Sequence, residues 1–162
     1  MCWTANIPSH KEPLIADKDI NVKKVVLKRS GDTINSVYMD CKYKLGEVME
    51  VDEMICEYYS QNLCVYEGLH SYHEDTVIYL TLSLMPTLYV FSGISGRKLD
   101  YLYSGFGGRK VDYLYDCSRP YSYYMEMHCI IPKGSTYYVN EHGEYVSNKL
   151  LPVELKEVEV RD

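Results

Sequence analysis

The sequence predicts an α+β fold, mainly antiparallel β-sheet with one or two short helices, in a single domain spanning residues 1–162. Three observations lead there. Eighteen tyrosines stand against two phenylalanines and one tryptophan, and Tyr favours half-buried sheet faces because its ring is apolar and its tip polar. Short runs of alternating apolar and polar residues recur between Gly-, Pro- and Asn-bearing turns, most clearly beyond residue 122. One acidic stretch, Glu50 to Tyr59, instead places Met54 and Tyr58 at helical spacing.

In chain order, residues 1–19 carry Pro8 and Pro13 with little periodicity and read as an extended N-terminal arm. Val22 to Arg29 (VKKVVLKR) reads as the first strand, and Ser30 to Asn35 (SGDTIN) as a turn. A second strand, Val37 to Leu45, is closed by Gly46. Glu50 to Tyr59 is the expected short helix, and Leu63 to Tyr66 a short strand. Glu74 to Leu84 reads either way: its β-branched residues favour strand, its acidic start after Ser71 a helix N-terminus. Ser122 to Ile131 is a strand ending at the Pro132-Lys133-Gly134 turn. Thr136 to Val139 and Glu144 to Ser147 flank the loop Asn140 to Gly143 as a hairpin. Leu150 to Val160 alternates apolar and charged residues as a final edge strand whose charges discourage aggregation.

Between these lies a tandem duplication. Ser92 to Tyr103 (SGISGRKLDYLY) and Ser104 to Tyr115 (SGFGGRKVDYLY) agree at nine of twelve positions. Within each copy, Leu99, Tyr101 and Tyr103, or Val111, Tyr113 and Tyr115, share one face at period two. A β-hairpin over residues 92–115 is the simplest geometry; two copies cannot make a solenoid. Each copy joins a Gly-rich turn to an Arg-Lys pair. Turn amides and a forked guanidinium can converge on phosphate oxygens, and Tyr can stack on a flat ring. The competing reading is a solvated hairpin tip with cross-strand pairs such as Lys98 with Asp112. The candidate ligand-binding residues are therefore Arg97, Lys98, Arg109 and Lys110 for phosphate. Tyr101, Tyr103, Tyr113 and Tyr115 are the candidates for stacking, helped by His70 and Tyr72.

The charge distribution agrees with a small anionic ligand. The net charge is −6, which argues against duplex nucleic acid and anionic membranes. From Ser92 to Arg119, five basic and three acidic residues leave +2, so the remainder carries −8. The start MCWTANIPSHKEPLIADKD has no apolar core of a signal peptide, and no apolar run reaches membrane-spanning length. Six scattered cysteines are expected to be thiols rather than disulfides, and the protein to be cytoplasmic.

Other chemistry-bearing groups are weaker. Cys2 would become an N-terminal nucleophile only if Met1 were removed, and nothing around it supports that role. Cys56, Cys64, Glu67, His70 and His73 fit no zinc spacing, so no metal or cofactor is expected. Glu126, His128, Glu141, His142 and Glu144 offer acid–base groups without a spacing that makes them converge.

The block from Cys129 to Asn148 (CIIPKGSTYYVNEHGEYVSN), with Glu67-Gly-Leu-His-Ser-Tyr72 and Met1-Cys-Trp3, resembles a family of small uncharacterised proteins of gut Bacteroides and their phages. A fainter similarity runs to the ADP-ribosyltransferase-like fold, with Val25, Ser71 and the strand into Pro132 around a dinucleotide cleft. The chain departs from it in having no Arg or His in the first strand that would face such a cleft and no Glu-x-Glu pair after the turn, with Glu144 alone. The resemblance taken together with the chemistry of the basic, Tyr-rich repeat leads to the expectation of a phage anti-defence sponge in the bacterial cytoplasm, sequestering a nucleotide-derived signalling molecule without catalysis. The alternatives are an enzyme on a nicotinamide or cyclic nucleotide using His70, Ser71 and a tail carboxylate, and a module that blocks a host protein. A homodimer is compatible with the exposed edge strand.

Overall fold

The computed structural model describes residues 3–6, 12–28, 34–37, 41–59, 62–81, 86–103, 114–116 and 119–161, with backbone alone for 3–6, 55–59, 62–67, 103, 114–116 and 119–123. The strands run β1 (Trp3–Asn6), β2 (Leu14–Ile15), β3 (Ile20–Lys28), β4 (Ile34–Ser36), β5 (Lys42–Tyr43) and β6 (Met49–Glu50). They continue through β7 (Ile55–Tyr59), β8 (Asn62–Glu67), β9 (Leu69–His73), β10 (Val77–Thr81), β11 (Thr87–Phe91) and β12 (Lys98–Tyr103). The last are β13 (Leu114–Asp116), β14 (Arg119–Ile131), β15 (Thr136–Val139), β16 (Glu144–Ser147), β17 (Lys149–Glu157) and β18 (Glu159–Arg161).

The expected α+β class is corrected: the fold is all-β, and no helix occurs among the described residues. The expected helix at Glu50–Tyr59 is the end of β6, a turn and β7, which pairs antiparallel with β8. Met54 and Tyr58 do stand four apart, but Ile55 to Tyr59 is a β-branched and aromatic run that finds a partner strand, and pairing overrides a weak local period. The ambiguous segment resolves likewise, Val77 to Thr81 becoming strand β10. Of the second expected strand, Val37 to Leu45, the described residues show Lys42–Tyr43 as strand β5. Its partner β4, through Ile34↔Tyr43 and Asn35↔Lys42, begins inside the expected Ser30–Asn35 turn, because β-branched Ile34 and the neighbouring Asn35 find a place beside β3. The terminal strand divides into β17, which lies between β14 and β6, and β18, a parallel edge strand beside β10.

The long antiparallel pair of β3 and β14, in register from Ile20↔Ile131 to Lys28↔Tyr123, is the axis of the molecule. Period-two alternation gives it two working faces. Val22 and Val26 with Met127, Cys129 and Ile131 form one core with Leu69, Tyr43 and Leu150. On the opposite face Val25 and Tyr124 meet a second sheet, β12-β11-β10-β18, through Ile78, Leu80, Leu88, Val90 and Val158. A bulge interrupts the β14–β17 ladder where Cys129 lies opposite Pro152, which has no N–H to give to the ladder.

The extended arm is laced down at its second half. β2 pairs β15, Ala16 N–H donates to the Ser135 carbonyl at 2.8 Å, and Gly134 N–H donates to the Ala16 carbonyl at 2.8 Å. The expected tail hairpin, β15–β16, has its bounds as read. Asn140 organises its loop: its Oδ1 accepts from the His142 and Glu144 N–H groups, both at 3.0 Å. The two repeat copies take different partners among the described residues, β12 pairing β11 and β13 pairing β14. Residues 104–113 lie outside the described set.

A candidate stacking face and its surroundings

Alternation on β10 and β11 sends Ile78, Leu80, Leu88 and Val90 into the core and leaves Tyr79, Tyr89 and Phe91 half-buried on the outer face. Register then does what no single strand could. Tyr79 lies opposite Tyr89, and Tyr89 opposite Tyr101, so three tyrosines form one row across three strands. The rings are in contact: Tyr79–Phe91 stacks at 5.8 Å between centroids, Tyr89–Phe91 at 6.0 Å, and Tyr79–Tyr89 tilts at 5.6 Å. Tyr101 is 46% exposed. A cation stands at each end of the row. Lys98 Nζ sits 4.7 Å from the Tyr101 ring centre and the Arg161 guanidinium carbon 4.4 Å from that of Tyr79. Arg161 is held there by two hydrogen bonds to the Glu159 carboxylate, 2.9 and 3.3 Å, and those bonds hold the Glu159 carboxyl below its usual range.

Of the expected site residues, Lys98 and Tyr101 belong to this face. Tyr103 and Tyr115 are described only as backbone, while Arg109, Lys110 and Tyr113 lie outside the described residues. Arg97 points elsewhere. Its Nη1 lies 3.1 Å from His142 Nε2, and His142 Nδ1 lies 2.7 Å from Ser95 Oγ. A guanidinium only donates, so in the neutral ring Nε2 accepts and Nδ1–H donates to the Ser95 oxygen. The Glu141 carboxylate is 3.4 Å from the same Nε2. The first Gly-rich turn is likewise engaged internally. Ile94 and Ser95 N–H groups donate to Ser92 Oγ and Gly96 N–H to the Ser92 carbonyl, so these amides are not free to cradle an anion. Of its two glycines, Gly93 serves packing: a Cβ there would collide with the Asp75 carbonyl oxygen.

His70 and Tyr72 lie on β9, a strand of the larger sheet and not of the one that carries the row. β3 changes neighbour from β9, at Val22↔His73 and Lys23↔Tyr72, to β4, at Val26↔Ser36. At that fork is a cavity of about 30 Å³ lined by Lys24, Ser36, His70, Tyr72, Asp100 and Leu102 among others. It has room for about one water and none for a nucleotide base. Burial lowers the His70 pKa to about 3, with the nearby Lys24 charge adding to it, so the imidazole is neutral at pH 7 and offers no cation to phosphate. Burial also lowers the Lys24 amine to about 8; it donates to the His70 carbonyl at 2.8 Å. His70 and Tyr72 therefore do not assist the stacking face.

The acid–base residues separate into unrelated pairs. His128 Nε2 bonds Glu126 at 2.7 Å, with Lys23 3.6 Å from that carboxylate. Glu144 accepts from the Asn140 amide at 2.9 Å. An open groove of about 320 Å³ beside His128 is lined by Asn21, Ile130 and Val153 with Glu74, Asp75 and Glu154. Its three carboxylates repel an anion. Sequence reasoning missed Tyr79, Tyr89, Phe91 and Arg161; the signal was present in the paired runs VIYLT and TLYVF, whose central Tyr residues alternate with core residues. No family model, curated protein or solved structure matches the chain, so the function is argued from the site. No helix among the described residues is long and apolar enough to cross a membrane.

Proposed function

We propose that this chain binds a nucleotide-derived ligand by stacking it on the outer face of β10, β11 and β12, and holds it without turnover. The observation that carries this is the row Tyr79–Tyr89–Tyr101, joined by Phe91 and flanked by cations. Aromatic platforms on exposed sheets take bases irrespective of sequence, each stacked base contributing about 1–3 kcal/mol. The flanking cations supply the attraction for phosphate that an acidic chain otherwise lacks. Sequestration of a nucleotide signal of host immunity is the role that such binding would serve. The residues an enzymatic reading would use are poorly disposed: Ser71 is 2% exposed and Glu144 is bonded to Asn140.

The test is to purify wild type and Tyr89→Ala from cells with nucleotide immune signalling switched on, denature them with heat, and analyse the released small molecules by mass spectrometry. Wild type is expected to release a near-stoichiometric, chemically unaltered nucleotide and Tyr89→Ala little or none. An empty wild-type supernatant, with the signal confirmed in the lysate, would defeat the proposal. Release of a processed product would point to the enzyme instead.

A further inference from the structure

The two cations sit at opposite ends of the aromatic row, not together, and this distribution specifies where a ligand must carry its charge. Arg161 leans onto Tyr79 of β10, and Lys98 onto Tyr101 of β12. These strands are two inter-strand spacings apart, roughly 10 Å. Between them, β11 presents Tyr89 and Phe91, whose rings contact one another at 6.0 Å. Among the described residues no other Lys or Arg belongs to this four-stranded sheet. A base centred on Tyr89 and Phe91 thus has the Lys98 ammonium to one side and, to the other, the Arg161 guanidinium, which a phosphate would share with Glu159.

From this we infer that the face recognises a nucleotide phosphorylated on both sides, that is, one unit of a phosphodiester-linked ligand, cyclic or linear. A nucleoside triphosphate carries all its charge at one end of the sugar. With its base in the centre it engages one cation and leaves the other over its own ring. A phosphodiester-linked nucleotide presents a phosphate at both its 5′ and 3′ oxygens and engages both. This inference rests on the stacking reading above.

The experiment measures equilibrium binding of the full chain at several salt concentrations to four probes, each in adenine and guanine form. They are the nucleoside triphosphate, the 5′-phosphorylated linear dinucleotide, the 3′,5′-cyclic dinucleotide and an eight-residue single-stranded RNA. Wild type, Lys98→Met, Arg161→Met and Tyr89→Ala are compared. Phosphodiester-linked probes are expected to bind at least about tenfold more tightly than the triphosphates, the loss of one charge-assisted contact. For two neutralised phosphates, log K should fall with log salt at a slope of about −1.4, and either charge-removing variant should halve it. Tightest binding of the cyclic dinucleotide identifies a messenger as the source, and of the RNA a single strand. Triphosphates binding as tightly as the dinucleotides, or a slope indifferent to Arg161→Met, would overturn the two-sided inference while Tyr89-dependent binding kept the stacking reading intact. Absence of binding to every probe would remove the stacking reading itself.

Discussion

Lys24 shows how a single residue that looks like a ligand group can be occupied by the fold. It stands between Val22 and Val26 on β3, is 7% exposed, and gives its amine to the His70 carbonyl. Burial lowers its pKa from 10.5 to about 8, against smaller opposing contributions from Cys129 and Cys41. The unfolded chain therefore binds this proton more tightly than the folded one between pH 8 and 10.5. The stability cost is complete below pH 8 and fades as pH rises to 10.5. Lys24→Met should raise stability at pH 7 by roughly 1–3 kcal/mol, allowing for the lost hydrogen bond, and by little at about pH 10.5. Urea unfolding of both proteins at the two pH values measures this. The subtraction cancels Tyr43, which burial pushes up and which ionises in the unfolded chain over the same range. Cys129, which the Lys24 charge acts on, does not cancel, so both proteins carry Cys129→Ala. An equal gain at both pH values would mean that burial of the charge is not the cause.

At the scale of elements, loops decide where strands can go. The 92–97 turn docks on the β15–β16 loop, where Ser92 Oγ donates to the His142 carbonyl at 2.7 Å, and the end of β9 meets the same loop, His73 N–H donating to the Gly143 carbonyl at 2.7 Å. Gly93 is needed for the approach to Asp75, whereas a Cβ added at Gly46, with φ +83°, would meet nothing within 4 Å. Gly93→Ala forces the new methyl group against backbone and should cost about 2–4 kcal/mol. Gly46→Ala bears only the left-handed conformation and should cost about 1 kcal/mol. Denaturant midpoints at unchanged m-value check the ranking; equal costs would mean that the loops do not dock this closely. The sequence already placed β3, β14 and the β15–β16 hairpin, whose alternation and turn chemistry agree. It misplaced Ile55–Tyr59, where a four-residue spacing of Met54 and Tyr58 competed with a strand partner supplied by β8.

For the whole molecule, the proposed stacking face would separate stability from recognition across a single peptide bond. Leu88 is fully buried in the cluster with Val25 and Tyr124, while Tyr89 faces outward in the aromatic row. Leu88→Ala should cost about 2–5 kcal/mol, a large share of the net stability of a domain this size, and leave the affinity of the folded fraction unchanged. Tyr89→Ala should cost less stability, about 1–2 kcal/mol for its lost ring contacts, and weaken stacking by about 1–3 kcal/mol. Thermal unfolding and ligand titration on both variants check the pair; a similar stability loss in each would contradict the assignment of faces.

The sequence by itself determined that this is a sheet-building, tyrosine-rich chain with a duplicated basic turn, because alternation, β-propensity and turn residues act between near neighbours. It also marked Lys98 and Tyr101, which do share a face. What only the tertiary structure decided is which tyrosines stand together, and which charges reach them. Tyr79, Tyr89 and Tyr101 become one row through inter-strand register, and Arg161 joins it through the parallel pairing of β18 with β10. Arg97 was turned toward His142 and His70 into a fork between strands by the same packing. Register is set by core faces and loop docking summed over the whole sheet, and so no local window of the chain contains it.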